Sequence, residues 1–224
     1  MKIKNRIHKL YLKLKYLKFK NLHTKYKGYT MIPINSYYSN LELCIAHQHI
    51  NGAIVECGTW RGGMMASIAE VIGPERAYYL FDSYEGLPDA TEKDGAEAAL
   101  WQKESSSEWN YNNCTADQQS AINAMQLSRA KNVTITKGWF NETLPQQRFE
   151  NGIAILRMDA DWYDSTMDIL NNLYPFVNKG GVVIIDDYYY WEGCAKAVHD
   201  YFSINNCLER LQMTSRGVCY FIKK

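Results

Sequence analysis

The sequence predicts an α/β fold: a mostly parallel sheet with helices on both faces. Three observations carry this. Short apolar runs recur along the chain and end at glycine or an acidic residue. Stretches of helical periodicity lie between them. The 224 residues, 46% hydrophobic, suffice for one such domain with a sizeable core.

Taken in order, residues 1–28 read as a basic helical arm. Ile3, Ile7, Leu10, Leu14 and Leu17 recur at steps of four and three, so they share one helical face among lysines. That face is expected to pack on the body or on a twin subunit, with an anionic membrane surface as the sharper alternative. Residues 29–224 form the body. A helix over 41–50 ends at Asn51-Gly52, a C-cap signal. Strand 53–57 follows, then helix 64–72 and strand 78–81, which ends at Asp82. Strands 133–136 and 153–158 come next, the latter ending at Asp159. Asp164-Ser165 is read as the cap of a helix to 174. Gly180-Gly181 turns into strand 182–185, which ends at Asp186-Asp187. A helix over 195–202 follows, and the tail, with 218–222, closes as one or two further strands. The polar stretch 88–113, with Trp101 and Trp109, exceeds what a crossover needs and reads as a surface insertion or a lid.

Charge is divided along this order. The first acid is Glu42, and ten cations precede it; the remaining 15 cations face 24 acids, a net of −9. An acidic body excludes a uniformly basic nucleic-acid-binding domain. No apolar run is long enough to span a bilayer, and the N-terminus lacks the uninterrupted apolar core and cleavage site of a secretory signal. The six cysteines show neither a CxxC pair nor zinc spacing, so free thiols in a reducing, cytoplasmic compartment are expected. The five histidines show no metal spacing relative to the acids, and His199 reads as an ordinary helix residue.

In parallel sheets ligands bind at the carboxyl ends of the strands. The residues there are Glu56, Gly58, Asp82, Gly138, Asp159, Asp186 and Asp187. The loop Glu56-Cys57-Gly58-Thr59-Trp60-Arg61-Gly62-Gly63 lets the backbone approach a ligand. It lacks the second glycine of a dinucleotide fingerprint, which would fall at Trp60, and no P-loop exists. An acidic opening residue, Glu56, would repel a pyrophosphate and suits the ammonium of S-adenosylmethionine (SAM). Asp82 is placed to accept hydrogen bonds from ribose hydroxyls. Neighbouring parallel strands lie ~4.8 Å apart, so Asp159 can face Asp186 or Asp187 across one gap. Three carboxylates meeting there make a hard-oxygen site for Mg²⁺. Asp161 is open between that site and a helix cap.

Five ordered motifs carry a resemblance. They are the 56–63 loop, Asp82-Ser83-Tyr84-Glu85-Gly86-Leu87-Pro88, Gly138-Trp139-Phe140 with Thr143-Leu144-Pro145, Arg157-Met158-Asp159-Ala160-Asp161-Trp162-Tyr163-Asp164-Ser165-Thr166, and Ile184-Ile185-Asp186-Asp187-Tyr188. Together they resemble the macrocin O-methyltransferase (TylF-type) family from about Tyr29 to the C-terminus, with the arm outside. Tyr84 stands where the family usually has Phe, and Ala160 where it has Gly. The resemblance implies a class I SAM-dependent fold and Mg²⁺-dependent methylation of a sugar hydroxyl. It places SAM on Thr30, Met31, the Glu56–Gly63 loop (Glu56, Gly58, Thr59, Trp60, Arg61, Gly62, Gly63), Asp82, Ser83, Gly138 and Trp139. It places Mg²⁺ on Asp159, Asp186 and Asp187, with Asp159 also the general base. A sugar-containing acceptor and a homo-oligomer are expected. The aromatic run Tyr188-Tyr189-Tyr190-Trp191 either stacks on the acceptor or packs. Two rival readings are a catechol- or phenol-directed O-methyltransferase with the same metal logic, and a non-catalytic SAM-binding module recruited through the arm.

Overall fold

Seven strands form one sheet in the order β3-β2-β1-β4-β5-β7-β6. The computed structural model describes residues 2–104, 106 and 110–224, with side chains from residue 12 onward. The parallel strands are β1 (Ala53–Cys57), β2 (Ala77–Asp82), β3 (Asn132–Lys137), β4 (Ile153–Met158) and β5 (Val177–Ile185). Two antiparallel strands, β6 (Gln212–Met213) and β7 (Cys219–Ile222), close the edge. The helices are α1 (Lys2–Lys25), α2 (Ile34–His47), α3 (Gly63–Ile72), α4 (Gly95–Lys103), α5 (Gln118–Ser128), α6 (Phe140–Thr143), α7 (Tyr163–Leu173) and α8 (Glu192–Ile204).

Strand side chains alternate between faces, and this sorts the core into two layers. Ile54, Ile155, Val182 and Ile184 join residues of α1, α2, α3 and α5 on one side. Val55, Cys57, Leu156, Met158, Val183 and Ile185 join α7 and α8 on the other. Both faces of β1 and β4 are therefore buried, which explains their unbroken apolar runs. All six cysteines are free. Among the described residues, no helix is long and apolar enough to cross a membrane.

Several expectations need correcting. The face of α1 that meets the body is not the predicted one. Phe19, Leu22 and Tyr26 are buried there, with Tyr16 packed beside them, whereas Leu14 and Leu17 point outward at 57% and 52% exposure. The C-terminal half of the basic helix thus packs in the main core. Helix α2 begins at Ile34 rather than at 41, because its first turns bury polar groups instead of an apolar stripe. The Tyr37 hydroxyl donates to Ser67 Oγ, and Asn40 reaches into the sheet edge.

Strand β5 begins at Val177, with Gly180-Gly181 inside it rather than in a turn before it. Pairing with β4 shifts there, from Ile153↔Val177 to Ile155↔Val182, and Gly180 takes a φ of +80° to accommodate the bulge.

Asp164 does not cap α7. It is exposed and pairs with Lys93 at 2.7 Å. The cap comes from the 88–113 insertion, where Asp94 Oδ1 accepts the Tyr163 N–H at 2.7 Å. The described residues of the insertion pack on the body. Trp101 of α4 packs edge-on against Trp162 and Trp191, and Trp162 Nε1 donates to the Pro88 carbonyl at 2.9 Å. Trp109 lies outside the described residues.

Candidate functional site

The strand order reverses between β1 and β4, so the loops leaving them diverge and open a crevice. Sheet hydrogen bonding runs one residue past the strands. Asp159 N–H donates to the Cys57 carbonyl, Asp186 N–H to Met158, Gly58 N–H to Phe81 and Gly138 N–H to Asp82, each at 2.9 Å. The strand-ending residues are thereby fixed in one row. Gly58, at φ +81°, is obligatory in it: a Cβ there would lie 1.6 Å from the Asp159 carbonyl oxygen.

Asp159, Asp186 and Asp187 converge. Each offers a carboxylate oxygen, and these oxygens all lie within 4.8 Å of one another. Behind them stands Arg157, 1% exposed in an otherwise apolar strand. Its Nη1 donates to Asp159 Oδ2 at 2.8 Å and to Glu56 Oε1 at 2.9 Å, its Nη2 lies 3.0 Å from Asp186 Oδ1, and its Nε donates to Asn40 Oδ1 at 3.0 Å. Asn40 in turn donates to Asp186 Oδ1 at 3.2 Å. One guanidinium thus orients two of the three converging carboxylates.

A single cation does not neutralise the group. Burial pushes Asp159 up to about 6, with Asp186 adding to the rise and Arg157 opposing it. Asp187 is raised well above the usual carboxylate range by burial and by Asp161, Asp159 and Asp186. Burial and Asp159 push Asp161 up to about 7. Glu56 is pushed up to about 8 by burial, against the pull of Arg157. Three hard oxygen donors with surplus negative charge fit a divalent cation such as Mg²⁺.

Asp161 is neither a cap nor one of the converging three. It holds a left-handed φ of +56°; its N–H donates to Asp187 Oδ2 at 3.0 Å, and its Oδ1 accepts from Trp191 Nε1 at 2.8 Å. Trp60 and Tyr84, after β1 and β2, are also left-handed, at +48° and +57°. Such strain costs roughly 1–3 kcal/mol per residue and collects at functional loops.

The row borders a cavity of about 570 Å³. Of the sequence-predicted residues, Met31, Gly58, Trp60, Asp82, Ser83, Gly138, Trp139, Asp159, Asp186 and Asp187 line it. Thr30, Glu56, Thr59, Arg61, Gly62 and Gly63 do not. Glu56 is buried on Arg157, which corrects the expectation that its charge faces a ligand. Thr59 is buried and gives its N–H to Asp82 Oδ2 at 2.8 Å. Arg61 lies over the Trp60 ring and reaches the Gly28 carbonyl. Gly62 precedes α3, and Gly63 N–H donates to the Tyr29 carbonyl at 2.9 Å. Thr30 Oγ1 accepts from Ile32 N–H at 3.2 Å. The second half of the loop therefore docks on residues 28–30 rather than on the cavity.

Asp82 shapes the loop as well as lining the cavity. It accepts N–H groups from Thr59, Trp60 and Tyr84 at 2.8, 2.7 and 2.6 Å. The aromatic run splits in role. Trp191 packs and holds Asp161, Tyr188 hydrogen-bonds His199 at 2.8 Å, and Tyr190 stands at the cavity with 64% exposure. Pro88 and Tyr111 of the insertion form one wall, with Cys114 beside them.

Sequence reading gave no role to Arg157 or Asn40, and read Trp191 only as stacking on the acceptor or packing. The available signal was a charged residue inside Ile-Ala-Ile-Leu-Arg-Met, since a cation buried on both sides of a sheet requires buried acids nearby.

A doubly wound sheet, a glycine loop after β1, an acid after β2 and a cavity at the switch point define a class I SAM-dependent O-methyltransferase. A model of the macrocin O-methyltransferase (TylF) family matches residues 19–223, and the chain belongs to that family. The match reaches back into α1, past the expected start near residue 29, and takes in the core residues Phe19, Leu22 and Tyr26. Demethyldecarbamoylnovobiocin O-methyltransferase of Streptomyces niveus is 33% identical over 205 residues, 87% of this chain and 75% of that protein. Mycinamicin III 3''-O-methyltransferase of Micromonospora griseorubida is 32% identical over 78% of this chain and 70% of its own length. The solved O-methyltransferase NovP superposes with a TM-score of 0.73 at 30% identity, covering 88% of this chain and 82% of that one. The calicheamicin methyltransferase CalS11 shares the fold, with a TM-score of 0.67 at 18% identity, covering 92% and 91%.

Proposed function

We propose that the chain methylates a hydroxyl of a sugar-containing acceptor, with Mg²⁺ held by Asp159, Asp186 and Asp187. The carrying observation is that these three carboxylates converge at the cavity that Gly58, Asp82 and Gly138 also line. SAM supplies an electrophilic methyl group, and Mg²⁺ supplies positive charge that lowers the pKa of a hydroxyl.

Gly58 and Gly138 bring bare backbone to the cofactor's side of the cavity, and Asp82 offers its remaining lone pairs to ribose hydroxyls. Trp60, Ser83, Trp139 and Met31 complete that wall. Arg157 and Asn40 fix the carboxylates, so that reacting groups are positioned before they meet. The proton of the acceptor hydroxyl goes to Asp161. Asp159, the base expected from sequence, already has one oxygen engaged by Arg157 and belongs to the converging three. Asp161 faces the cavity with Oδ1 anchored by Trp191 and Oδ2 left to accept. The cavity lining among the described residues has eight carboxylates and no lysine or arginine, which favours an unphosphorylated sugar.

Transfer of labelled methyl from SAM to a panel of diol-bearing glycosides tests this, with simple catechols as competitors. Turnover is expected with glycosides and lost with EDTA. Full activity in EDTA would remove the metal from the reading, and preference for catechols would replace the acceptor class.

A further inference from the structure

Helix α1 has two apolar faces, and the body covers one. Phe19, Leu22 and Tyr26 are buried in the main core, while Leu14 and Leu17 stand 57% and 52% exposed on another side of the helix. Leu14 and Leu17 lie three residues apart and so form one line along the helix.

Cations border that line. Lys18 lies four residues after Leu14, and Lys13 and Lys20 lie four before and three after Leu17, so all three flank it on the helix surface. Lys13, Lys18, Lys20 and Lys27 are exposed. The salt bridges of α1 with the body, among the described residues, use other lysines: Lys15 with Glu42 and Lys25 with Glu70.

We infer that this outward face docks on an anionic lipid surface, with α1 lying in the plane of the headgroups. An apolar stripe edged by lysines is the pattern of an interfacial helix: leucines enter the acyl boundary and lysine stems reach up to lipid phosphates. The helix lies on the membrane rather than crossing it, since no described helix is apolar enough to span. Nucleic acid offers phosphates but no apolar phase for Leu14 and Leu17. A symmetric pairing of two α1 helices would set like charges together within a screening length of ~8 Å. The inference stands apart from the methyl-transfer reading, since Leu14 and Leu17 lie outside the cavity lining.

The test is co-sedimentation of the full chain with phosphatidylglycerol-containing vesicles and with pure phosphatidylcholine vesicles, alongside SAM calorimetry. Partition onto the anionic vesicles is expected to exceed that onto neutral ones by at least ~10-fold and to fall with added salt. The Leu14→Gln/Leu17→Gln variant should lose most of it while binding SAM as the parent does. Equal partition of parent and variant, or equal partition onto both vesicle types, overturns the inference. So does a parent dimer that the double variant dissociates without any vesicle binding, which would assign the face to a second copy. Absence of SAM binding in the parent would instead count against the methyltransferase reading alone.

Discussion

Arg157 of β4 and Asp159, one residue past the strand's end, are two residues apart, and their side chains meet at 2.8 Å. Residues i and i+2 of a strand share a face, so the strand that buries the arginine also presents the carboxylate to the cavity. Glu56 lies beside Arg157 because Glu56↔Arg157 is a register pair of β1 and β4. The positioning cation and its partners are thus consequences of sheet register.

Replacing Arg157 by Met should destabilise the fold by about 3–5 kcal/mol, because Glu56, Asp159 and Asp186 lose their shared cation. Arg157→Lys should recover only part, since an ammonium cannot span the three carboxylates and Asn40 together. Urea unfolding of both variants reads this out; an unchanged midpoint for Arg157→Met would remove the structural role.

Asp187→Asn should lower kcat by at least ~10² with folding retained, because it removes a ligand charge that would hold Mg²⁺ beside the acceptor hydroxyl. Circular dichroism checks the fold, and methyl transfer at saturating Mg²⁺ checks the rate.

Asp161→Asn keeps an oxygen for the Trp191 indole but cannot take a proton. A loss of ~10²–10⁴ in kcat is expected, with SAM affinity within twofold of the parent. Comparable activity in this variant would return the base to Asp159.

Gly58→Ala should abolish SAM binding, since its Cβ would lie 1.6 Å from the Asp159 carbonyl and the loop would have to move off the row. Calorimetry with SAM measures the effect directly.

Stability without metal should fall as pH rises. Asp159 and Asp161 have folded-state values of about 6 and about 7, raised from 3.8, so the folded state holds more protons than the unfolded one between those limits. Their contribution is fully present below 3.8 and is lost as pH passes through 6 to 7. Thermal melts in EDTA from pH 4 to pH 8 should show this slope, and added Mg²⁺ should flatten it by favouring the charged forms.

Much of the architecture was legible because parallel strands announce themselves. Ile153–Met158 matches its expected bounds, and the ends of β1 and β2 carry the glycine and aspartate that the rule for strand ends singles out. Helix starts were less legible where burial is polar: the first turns of α2 bury Tyr37, Ser39 and Asn40 rather than leucines. The fate of Glu56 was not legible, because an acid before a glycine loop looks the same whether it faces a ligand or a buried arginine.

Local sequence determined the class of fold and the row of acids, since apolar runs, their spacing and the residues that end them are local properties. Tertiary structure decided the rest. It chose which face of the basic helix is covered, gave Asp94 of the insertion the capping of α7, and anchored Asp161 on Trp191. Each of these joins residues distant in the chain, and such contacts depend on strand order and register, which no single segment encodes.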